Sequence, residues 1–449
     1  MKNILFVTTH FPPAKSVGTQ RIVRICKYLP QLGWNIAILT QNEYYYQNLL
    51  PDLNNNYSIG HDIKVVRTRK FDILSVLYNF KNSLNSKADK NVETQSSDSD
   101  RRSNIESSNP KSIWQQVKDF FTWLPCVPDR EIGWLPFAVF RGLLMIKKYR
   151  IDVIFSSCPP HSVHLISLIL KLLTGKHLVL DFRDPWARSQ WEPLDSSKLE
   201  RFEKNINIIL ERWAVKKADK IICNTAELRD DFIDFYKELP NEKFQVFYNG
   251  YDPENILKIS NNKPNNSKKV KFTHTGTLYK RRDPSPLFYA IKKLIDEKRL
   301  ERDKICIQFI GTISEELRMI TRLVRKLELE DVIQFIKPVN YHKSLDYMYQ
   351  SDVLVVLQPG TRLQIPAKIF DYMCAEKPVL AIGEKNSATE RIVQNQFGIF
   401  VDYNNLKDIM QGFIALYNNK TIDLNEMKSA RDKYNIAKSI QSFHEILSS

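Results

Sequence analysis

Short apolar segments of strand length alternate with amphipathic segments of helical length in two separate stretches of the chain. In the first stretch, the apolar runs Asn3–Thr8 and Asn35–Thr40 flank a segment in which Ile22, Ile25 and Leu29 recur at helical spacing. A helix between two strands carries the chain back along the sheet, so the two strands can pair in parallel. Alternation of this kind over a whole domain predicts a parallel sheet with helices on both faces.

The alternation fills two parts of the chain that are separated by a polar segment. In residues 1–260, further strands are predicted at Asp152–Ser157, His177–Phe182, Lys220–Thr225 and Phe244–Tyr248, and helices at His164–Leu173 and Leu199–Trp213. In residues 270–434, strands are predicted at Val270–His274, Ile305–Gly311, Val332–Ile336, Val353–Gln358, Pro378–Ile382 and Gly398–Asp402, and helices at Leu287–Lys298 and Glu315–Leu327. The segment Ile259–Lys269 is rich in Asn, Lys and Ser and indicates an interdomain linker, with the boundary near residue 265. We therefore expect an α/β protein with two doubly wound domains.

Two insertions interrupt the first domain. The segment Asn82–Lys111 consists mainly of Ser, Asn, Asp and Lys, which cannot bury enough apolar surface to form a core, so it is predicted to be a disordered loop. The next segment, Ile113–Lys148, contains Trp114, Trp123 and Trp134 and ends in a basic helix. Aromatic and cationic side chains in this mixture suit a membrane interface. A helical excursion with ordinary core aromatics is the alternative, and the sequence leaves both open.

The chain is basic, with a formal net charge of +15 from 66 Lys and Arg against 51 Asp and Glu. This charge indicates an anionic partner: nucleic acid, an acidic membrane surface or a phosphorylated ligand. We expect no nucleic acid, because the sequence has no finger, homeodomain or ribonucleoprotein signature. It also lacks a long apolar run and a signal peptide, which predicts a cytoplasmic protein, either soluble or peripheral on the inner face of the membrane. The six cysteines form no C-x-x-C pair, so no zinc site is expected.

Ligands of open parallel sheets bind at the carboxyl ends of the strands, so the loops after the strands hold the candidate site residues. In the first domain, Gly18 lies near a predicted helix start and permits close approach of a ligand to the backbone. His161 follows a later strand, and Arg183 and Asp184 follow the next one. Charged groups behind a buried strand are costly unless they are paired or used, so they indicate the lining of a cleft. An ordinary structural pair between Arg183 and an aspartate is the alternative.

A glycine and several cations follow the first strand of the second domain. Gly276 and Thr277 lead to Lys280, Arg281 and Arg282. Consecutive cations beside a glycine at a strand end can hold a diphosphate through charge-assisted hydrogen bonds. A solvated loop is the alternative.

A second anion site is predicted where a helix follows the strand Val353–Gln358. Pro366 is the expected first helical residue, which leaves the backbone N–H groups of Ala367 and Lys368 directed at the cleft. Phosphate is the expected ligand of such groups. Asp371 lies one turn further along, where its carboxylate could accept hydrogen bonds from the two hydroxyls of a ribose.

The order of several short motifs resembles that of family 4 glycosyltransferases of the GT-B fold. The motifs are Asp181-Phe182-Arg183-Asp184-Pro185-Trp186, Asn224-Thr225, Tyr248-Asn249-Gly250-Tyr251-Asp252, Gly276-Thr277 with Arg282, and Pro366-Ala367-Lys368-Ile369-Phe370-Asp371-Tyr372 followed by Lys377-Pro378-Val379-Leu380. The resemblance covers nearly the whole chain. It implies two Rossmann-like domains that face each other across a cleft, with a C-terminal helix, 435–449, that crosses back to the first domain.

The resemblance also implies an activity. Members of the family generally transfer a sugar from a UDP- or GDP-linked donor to a lipid-linked or saccharide acceptor, with retention and without a metal or cofactor. The motif that begins at Pro366 is similar to that of bacterial enzymes of surface polysaccharide assembly, such as lipopolysaccharide or capsule. A sugar-nucleotide epimerase of the same fold and a non-catalytic protein that binds a nucleotide sugar or nucleic acid are the alternatives.

Roles within the family can be carried over to single positions. The basic pair that holds the donor phosphates falls on Thr277 and Arg282, and the two glutamates of the family fall on Leu363 and Asp371. We expect Arg282 and Lys368 to stabilise the leaving phosphate. Asp184 and His161 are candidate catalytic groups on the acceptor side, where Gly18 and Arg183 also lie.

Overall fold

The computed structural model describes residues 1–14, 16–46, 62–71, 127–188, 198–254, 268–394, 396–418 and 424–449. The predicted insert Asn82–Lys111 lies outside these residues, as do Trp114 and Trp123. Most of the predicted linker, residues 259–267, lies outside them as well.

Within the described residues, the N-terminal domain contains a sheet of seven parallel strands. They are β1 (Lys2–Val7), β2 (Trp34–Gln41), β3 (Lys64–Thr68), β4 (Val153–Cys158), β5 (His177–Phe182), β6 (Lys220–Cys223) and β7 (Phe244–Val246). Their order across the sheet is β3-β2-β1-β4-β5-β6-β7, and every pair is parallel. The order reverses between β1 and β4, which is where ligands bind in doubly wound folds.

The C-terminal domain contains a second parallel sheet with the same arrangement. Its strands are β8 (Val270–Thr275), β9 (Ile305–Ile310), β10 (Ile333–Ile336), β11 (Val353–Gln358), β12 (Val379–Gly383) and β13 (Gly398–Asp402). Their order is β10-β9-β8-β11-β12-β13, so the reversal lies between β8 and β11. Two Rossmann-like domains were predicted from the alternation, and both are confirmed.

Helices cover both faces of each sheet. In the N-terminal domain they are α1 (Val17–Tyr28), α2 (Leu135–Lys148), α3 (Ser162–Thr174), α4 (Lys198–Lys217) and α5 (Ala226–Phe235). The remaining helices are α6 (Ser285–Asp296), α7 (Ile320–Lys326), α8 (Tyr341–Tyr349), α9 (Lys368–Ala375), α10 (Ala388–Val393), α11 (Leu406–Asn418), α12 (Leu424–Asp432) and α13 (Ile436–Ser448). Strand β1 shows why this layering is required: Leu5 and Val7 belong to one apolar cluster, and Ile4 and Phe6 belong to the cluster on the other face.

The last helix, α13, crosses back to the N-terminal domain, as expected. Its Phe443 is fully buried against Phe155 of β4, and His444 accepts a hydrogen bond from the indole of Trp34 at 2.8 Å. The chain enters this helix along the connection between the domains, because the N–H of Tyr251 donates to the carbonyl of Tyr434 at 2.9 Å. The C-terminal domain is therefore connected to the N-terminal domain at both of its ends, at its start through the segment of Tyr251 and at its end through α13.

Strand β3 and the helix predicted at Glu315–Leu327 differ from the sequence-based expectation. Strand β3 was not predicted, because this edge strand, Lys64–Thr68, is short, partly exposed and carries charged residues, so it has no apolar run. The helix predicted at Glu315–Leu327 consists of a 3₁₀ turn, Glu315–Leu317, and the short α7.

Trp134 is a core residue and does not face a membrane. Its side chain is 0% exposed, and its indole N–H donates to the hydroxyl of Thr68 at 2.6 Å. The core alternative is therefore correct for this tryptophan. On the outer face of the following helix, α2, Phe140 is 66% exposed and Phe137 and Leu144 are also exposed.

Candidate active site

The candidate donor residues meet where the strand order of the C-terminal sheet reverses. Strand β8 ends at Thr275 and is followed by Gly276, and the segment after its neighbour β11 leads into helix α9. The side chain of Lys368, the first residue of α9, extends back to the end of β8. This places a cation beside Gly276.

The amino group of Lys368 is held by two acceptors at the end of β8. Its Nζ donates to the backbone carbonyl of Thr275 and lies 3.2 Å from Nε2 of His274. Gly276 has φ +121°, and a Cβ at this position would lie 2.8 Å from the same Nζ. Only glycine therefore fits this conformation without displacing the lysine. Burial, and then the charge of Arg282, hold the pKa of Lys368 well below its usual value.

Arg282 supplies the second cation of the site. Its guanidinium lies over the ring of Tyr279 with Cζ 5.0 Å from the ring centroid, and its Nε is buried without a hydrogen-bond partner among the described residues. Arg281 and Thr277 are exposed on the same loop. Arg282 is close enough to Lys368 to lower its pKa, and the buried Nε of Arg282 has no partner among the described residues. The two side chains therefore form a site that favours the binding of an anion.

Helix α9 begins slightly later than predicted. The first α-helical residue is Lys368 and the N-cap is Ala367, so Pro366 precedes the helix. The amide of Ile369 donates to the carbonyl of Pro366 at 3.0 Å, and that of Phe370 to Ala367 at 3.2 Å. The amides of Ala367 and Lys368 precede these first turn bonds, at the end of the helix where the dipole favours an anion.

Asp371, the candidate ribose ligand, is engaged by both domains. Its Oδ1 accepts hydrogen bonds from Nη2 of Arg24 at 3.0 Å and from the hydroxyl of Tyr341 at 2.9 Å. Burial lowers the pKa of the Arg24 guanidinium, but the charge of Asp371, its hydrogen bond and the neighbouring Tyr341 and Cys374 together raise this pKa above its usual value. Arg24 also donates to the carbonyl of Gly250, next to the connection between the domains.

On the N-terminal side of the cleft, Arg183 fills the space beside Gly18. A Cβ on Gly18 would lie 2.3 Å from Nη1 of Arg183, so the glycine allows the guanidinium to pack on the start of α1. Arg183 donates to the carbonyl of Cys158 at 2.8 Å and to that of Pro159. Burial lowers the pKa of this guanidinium, and the charge of Asp184 opposes the shift.

Asp184 contacts the C-terminal domain directly. Its Oδ1 accepts a hydrogen bond from Gln364, and burial raises its pKa, although Arg183 and Gln364 oppose the shift. The adjacent Leu363, at the position of the family's first glutamate, packs against the N-terminal core, and its carbonyl accepts a hydrogen bond from Thr225 at 2.6 Å. The segment 363–364 therefore joins the two sides of the cleft.

His161 stacks on Trp186 rather than projecting into solvent. The ring centroids are 4.9 Å apart and the planes are 1° from parallel. Burial, and then the charge of Arg183, lower the pKa of His161 to about 3, so the imidazole is neutral at physiological pH. Its Nδ1 is buried without a partner among the described residues. The assignment of His161 to the acceptor side stays a prediction.

A second polar group lies near Arg183. Glu131 accepts hydrogen bonds from Nζ of Lys70 at 2.9 and 3.0 Å and from the amide of Gln41 at 2.5 Å. Burial and then the charge of Arg183 lower the pKa of the neighbouring His10, whereas Glu131 opposes the shift. These residues were not predicted, since they lie in a loop, at strand ends and before α2, without a common motif.

Sequence reasoning also missed two arginines of α1. Arg21 forms a buried bidentate pair with Asp181, at 2.7 and 2.9 Å, and donates to Asn249 at 2.8 Å. Arg24 lies three residues further on and reaches Asp371. Their spacing of three residues places both arginines on one face of the helix that follows the first strand. This spacing is the sequence feature that could have identified them as residues of the cleft. Asp181, at the end of β5, is therefore paired with Arg21.

Comparison with known proteins identifies the family. Residues 105–255 match the model described as Glycosyltransferase Family 4, and residues 255–436 match that described as Glycosyl transferases group 1. No curated protein sequence matched the chain. With two Rossmann-like domains facing across a cleft, the fold defines a GT-B protein. The chain belongs to the family 4 glycosyltransferases.

Solved structures of the same fold cover nearly the whole chain. HepE of Anabaena in complex with UDP has a TM-score of 0.63 and 14% identity, with 100% of both chains covered. Sucrose-phosphate synthase from Thermosynechococcus elongatus has a TM-score of 0.64 and 13% identity, with 99% of this chain and 98% of the other covered. WaaG, a glycosyltransferase involved in lipopolysaccharide biosynthesis, has a TM-score of 0.56 and 12% identity, with 99% and 100% covered. At these identities the similarity shows the fold.

Proposed function

We propose that this glycosyltransferase moves a sugar, with retention of configuration, from a UDP- or GDP-linked donor to a lipid-linked or saccharide acceptor. The observation that carries the proposal is the convergence of Lys368 and Arg282 at the end of β8. Burial, and then the charge of Arg282, lower the pKa of Lys368, and the buried Nε of Arg282 has no partner within the described residues. A donor diphosphate relieves both costs at once.

The same two cations suit the chemistry of the transfer. As the bond between the sugar and the diphosphate breaks, negative charge grows on the leaving phosphate. Fixed cations and the amides at the start of α9 stabilise that charge without reorganising, which is the main way a site of this kind accelerates group transfer. We propose that no metal is required, because these groups supply the positive charge. The departing phosphate takes the acceptor proton in the front-face scheme that the family implies.

A known relative supports a nucleotide-sugar donor. HepE of Anabaena, with the same fold, has been solved with UDP and with UDP-glucose. In this chain, Asp371 is the group we assign to the ribose hydroxyls. Since Arg24 and Tyr341 already hold its Oδ1, its other carboxylate oxygen is the atom proposed to accept them.

The acceptor is proposed to bind on the N-terminal side of the cleft. Arg183 and Asp184 lie at the carboxyl end of β5, and Asp184 faces Gln364 of the opposite domain. The raised pKa of Asp184 brings a carboxylate closer to the range in which it can exchange a proton. His161 remains a candidate for a neutral hydrogen-bonding partner of the acceptor.

For a lipid-linked acceptor, we propose that the enzyme works at the inner face of a bacterial membrane. On α2 and the end of β3, the exposed Phe137 and Phe140 border a shallow groove together with Arg69 and Arg141. Apolar and cationic side chains on one face suit an anionic lipid surface. No helix in the described part of the chain is both long and apolar enough to span a membrane. Two structural relatives, WaaB and WaaG, are named as lipopolysaccharide enzymes, which supports surface polysaccharide synthesis as the pathway.

A thermal-shift panel of UDP-, GDP- and CMP-sugars tests the donor class. A ligand at 100 times its dissociation constant should add about 2.7 kcal/mol to stability. Incubation with the stabilising donor then separates the alternatives. Conversion of the donor without an acceptor would indicate an epimerase, and binding without turnover would indicate a non-catalytic protein. Transfer with an α-linked product from an α-linked donor, read by NMR, is the outcome we expect.

A further inference from the structure

His274 is a fully buried polar side chain at the end of β8. Its exposure is 0%, and it lies between the apolar residues of the C-terminal core and the candidate phosphate site. A buried polar group is costly unless its hydrogen bonds are made. The contacts of both ring nitrogens therefore indicate what the residue does.

One ring nitrogen fixes the tautomer. Nδ1 lies 3.0 Å from the backbone carbonyl of Val355 on the neighbouring β11. A carbonyl only accepts, so Nδ1 carries the hydrogen, and in a neutral ring Nε2 then presents a lone pair. Burial lowers the pKa of His274 well below its usual value, and the charges of Lys368 and Arg282 lower it further, so the ring is neutral.

The lone pair of Nε2 faces the amino group of Lys368. The distance of 3.2 Å corresponds to a hydrogen bond donated by Nζ. Nζ also donates a hydrogen bond to the carbonyl of Thr275, so it makes two hydrogen bonds at the end of β8. Gly276 lies beside Nζ. When Nζ is protonated, its third N–H can contact a ligand at the start of α9.

We propose that His274 is a positioning residue that holds the ammonium of Lys368 at the diphosphate site through Nε2. The inference rests on the proposed function, because it assigns a role to the same site. The chain of contacts runs from the Val355 carbonyl through the imidazole to Nζ. The lysine side chain has four rotatable bonds, so ordering it on a phosphate costs conformational entropy. A hydrogen bond to His274 orders the side chain before the ligand binds, which makes the entropy cost of binding smaller.

Two substitutions of His274 separate positioning from packing. His274→Asn keeps an amide near the position of Nδ1, where it can donate to Val355, but it is too short to reach Lys368. His274→Gln can place its carbonyl oxygen near the position of Nε2, where it can accept from Lys368. Both remove the ring from the core, so both should lower thermal stability similarly.

The measurement is the affinity for UDP by titration calorimetry in the full-length protein. We expect Lys368→Ala to weaken binding on the order of 100-fold, His274→Asn on the order of 10-fold, and His274→Gln by much less. Thr273→Val is the matched control, since it removes a hydrogen bond with Ser351 from the same strand without touching Lys368. It should leave the affinity unchanged.

The double variant completes the test. If His274 acts through Lys368, adding His274→Asn to Lys368→Ala should cost nothing further. Equal losses in His274→Asn and His274→Gln, or additive losses in the double variant, would overturn the positioning role. Wild-type affinity in Lys368→Ala would instead overturn the phosphate site itself, so the two failures are distinguishable.

Discussion

Arg24 of the N-terminal domain donates a hydrogen bond to Asp371 of the C-terminal domain at 3.0 Å, and both side chains are about nine-tenths buried. The pair joins α1 to α9 across the cleft, at the residue we assign to the donor ribose. Under the proposed function, Asp371 therefore serves both the contact between the domains and the binding of the donor.

Arg24→Ala should destabilise the protein, because among the described residues it leaves the buried Asp371 with Tyr341 as its remaining partner. Truncating one member of such a pair costs on the order of 2–5 kcal/mol. The melting temperature should fall, whereas Arg229→Ala, which removes an exposed pair with Asp230, should change it little. Equal melting temperatures for the two variants would show that the interdomain pair contributes nothing to stability.

Asp371→Asn should act mainly on donor binding. A contact with the ribose is similar in the ground state and the transition state, so its loss raises KM more than it lowers kcat. Steady-state kinetics with the cognate donor measure both constants. A fall in kcat with an unchanged KM would assign Asp371 to the chemical step instead.

Binding of UDP should take up a proton at Lys368. Burial and Arg282 hold the pKa of the free lysine well below its usual value, and a bound diphosphate raises it. The protonated Lys368 therefore contributes fully to UDP affinity at pH values below the pKa of Lys368 in the free protein. This contribution is lost as the pH rises through the higher pKa of Lys368 in the UDP complex. Calorimetry in buffers of different ionisation enthalpy measures the uptake.

Lys368→Arg is the control for this proton uptake, because arginine stays charged over the accessible range. The phosphate of UDP titrates equally in both proteins, so only the difference between them belongs to Lys368. Identical proton uptake in the two proteins would contradict the linkage.

Anionic liposomes should bind the enzyme through the exposed face of α2. Replacing Phe137 and Phe140 by serine should reduce flotation with these liposomes, and added salt should weaken binding through Arg141. Tyr289→Ser, at an exposed aromatic of the other domain, is the matched control. Equal recovery with neutral and anionic lipid at low salt would remove the electrostatic part of this hypothesis.

The sequence predicted the fold well, and it indicated candidate residues for the C-terminal half of the site, because both depend on local patterns. Buried parallel strands are apolar runs, and the segment from Pro366 to Asp371 is continuous in the chain. The edge strand Lys64–Thr68 has no such run and was missed.

Contacts between distant residues could not be predicted. Arg21 and Asp181 are 160 positions apart, and Arg24 and Asp371 are 347 apart, so only the packing of α1 in the cleft brings them together. Trp134 was considered for a membrane surface because composition does not reveal which aromatic side chains of a helix face the core. In the structure, the side chain of Trp134 is buried and its indole N–H donates to the hydroxyl of Thr68.

The most direct test of the central claim is the turnover number of Lys368→Ala and of Arg282→Ala with the cognate donor. Each variant loses a cation that stabilises the departing phosphate, so kcat should fall on the order of 100-fold or more, by analogy with removal of an oxyanion donor, while the fold stays intact. Lys293→Ala, which removes an exposed charge from helix α6 of the same domain, should transfer at the wild-type rate. Wild-type turnover in both Lys368→Ala and Arg282→Ala would show that the phosphate site lies elsewhere.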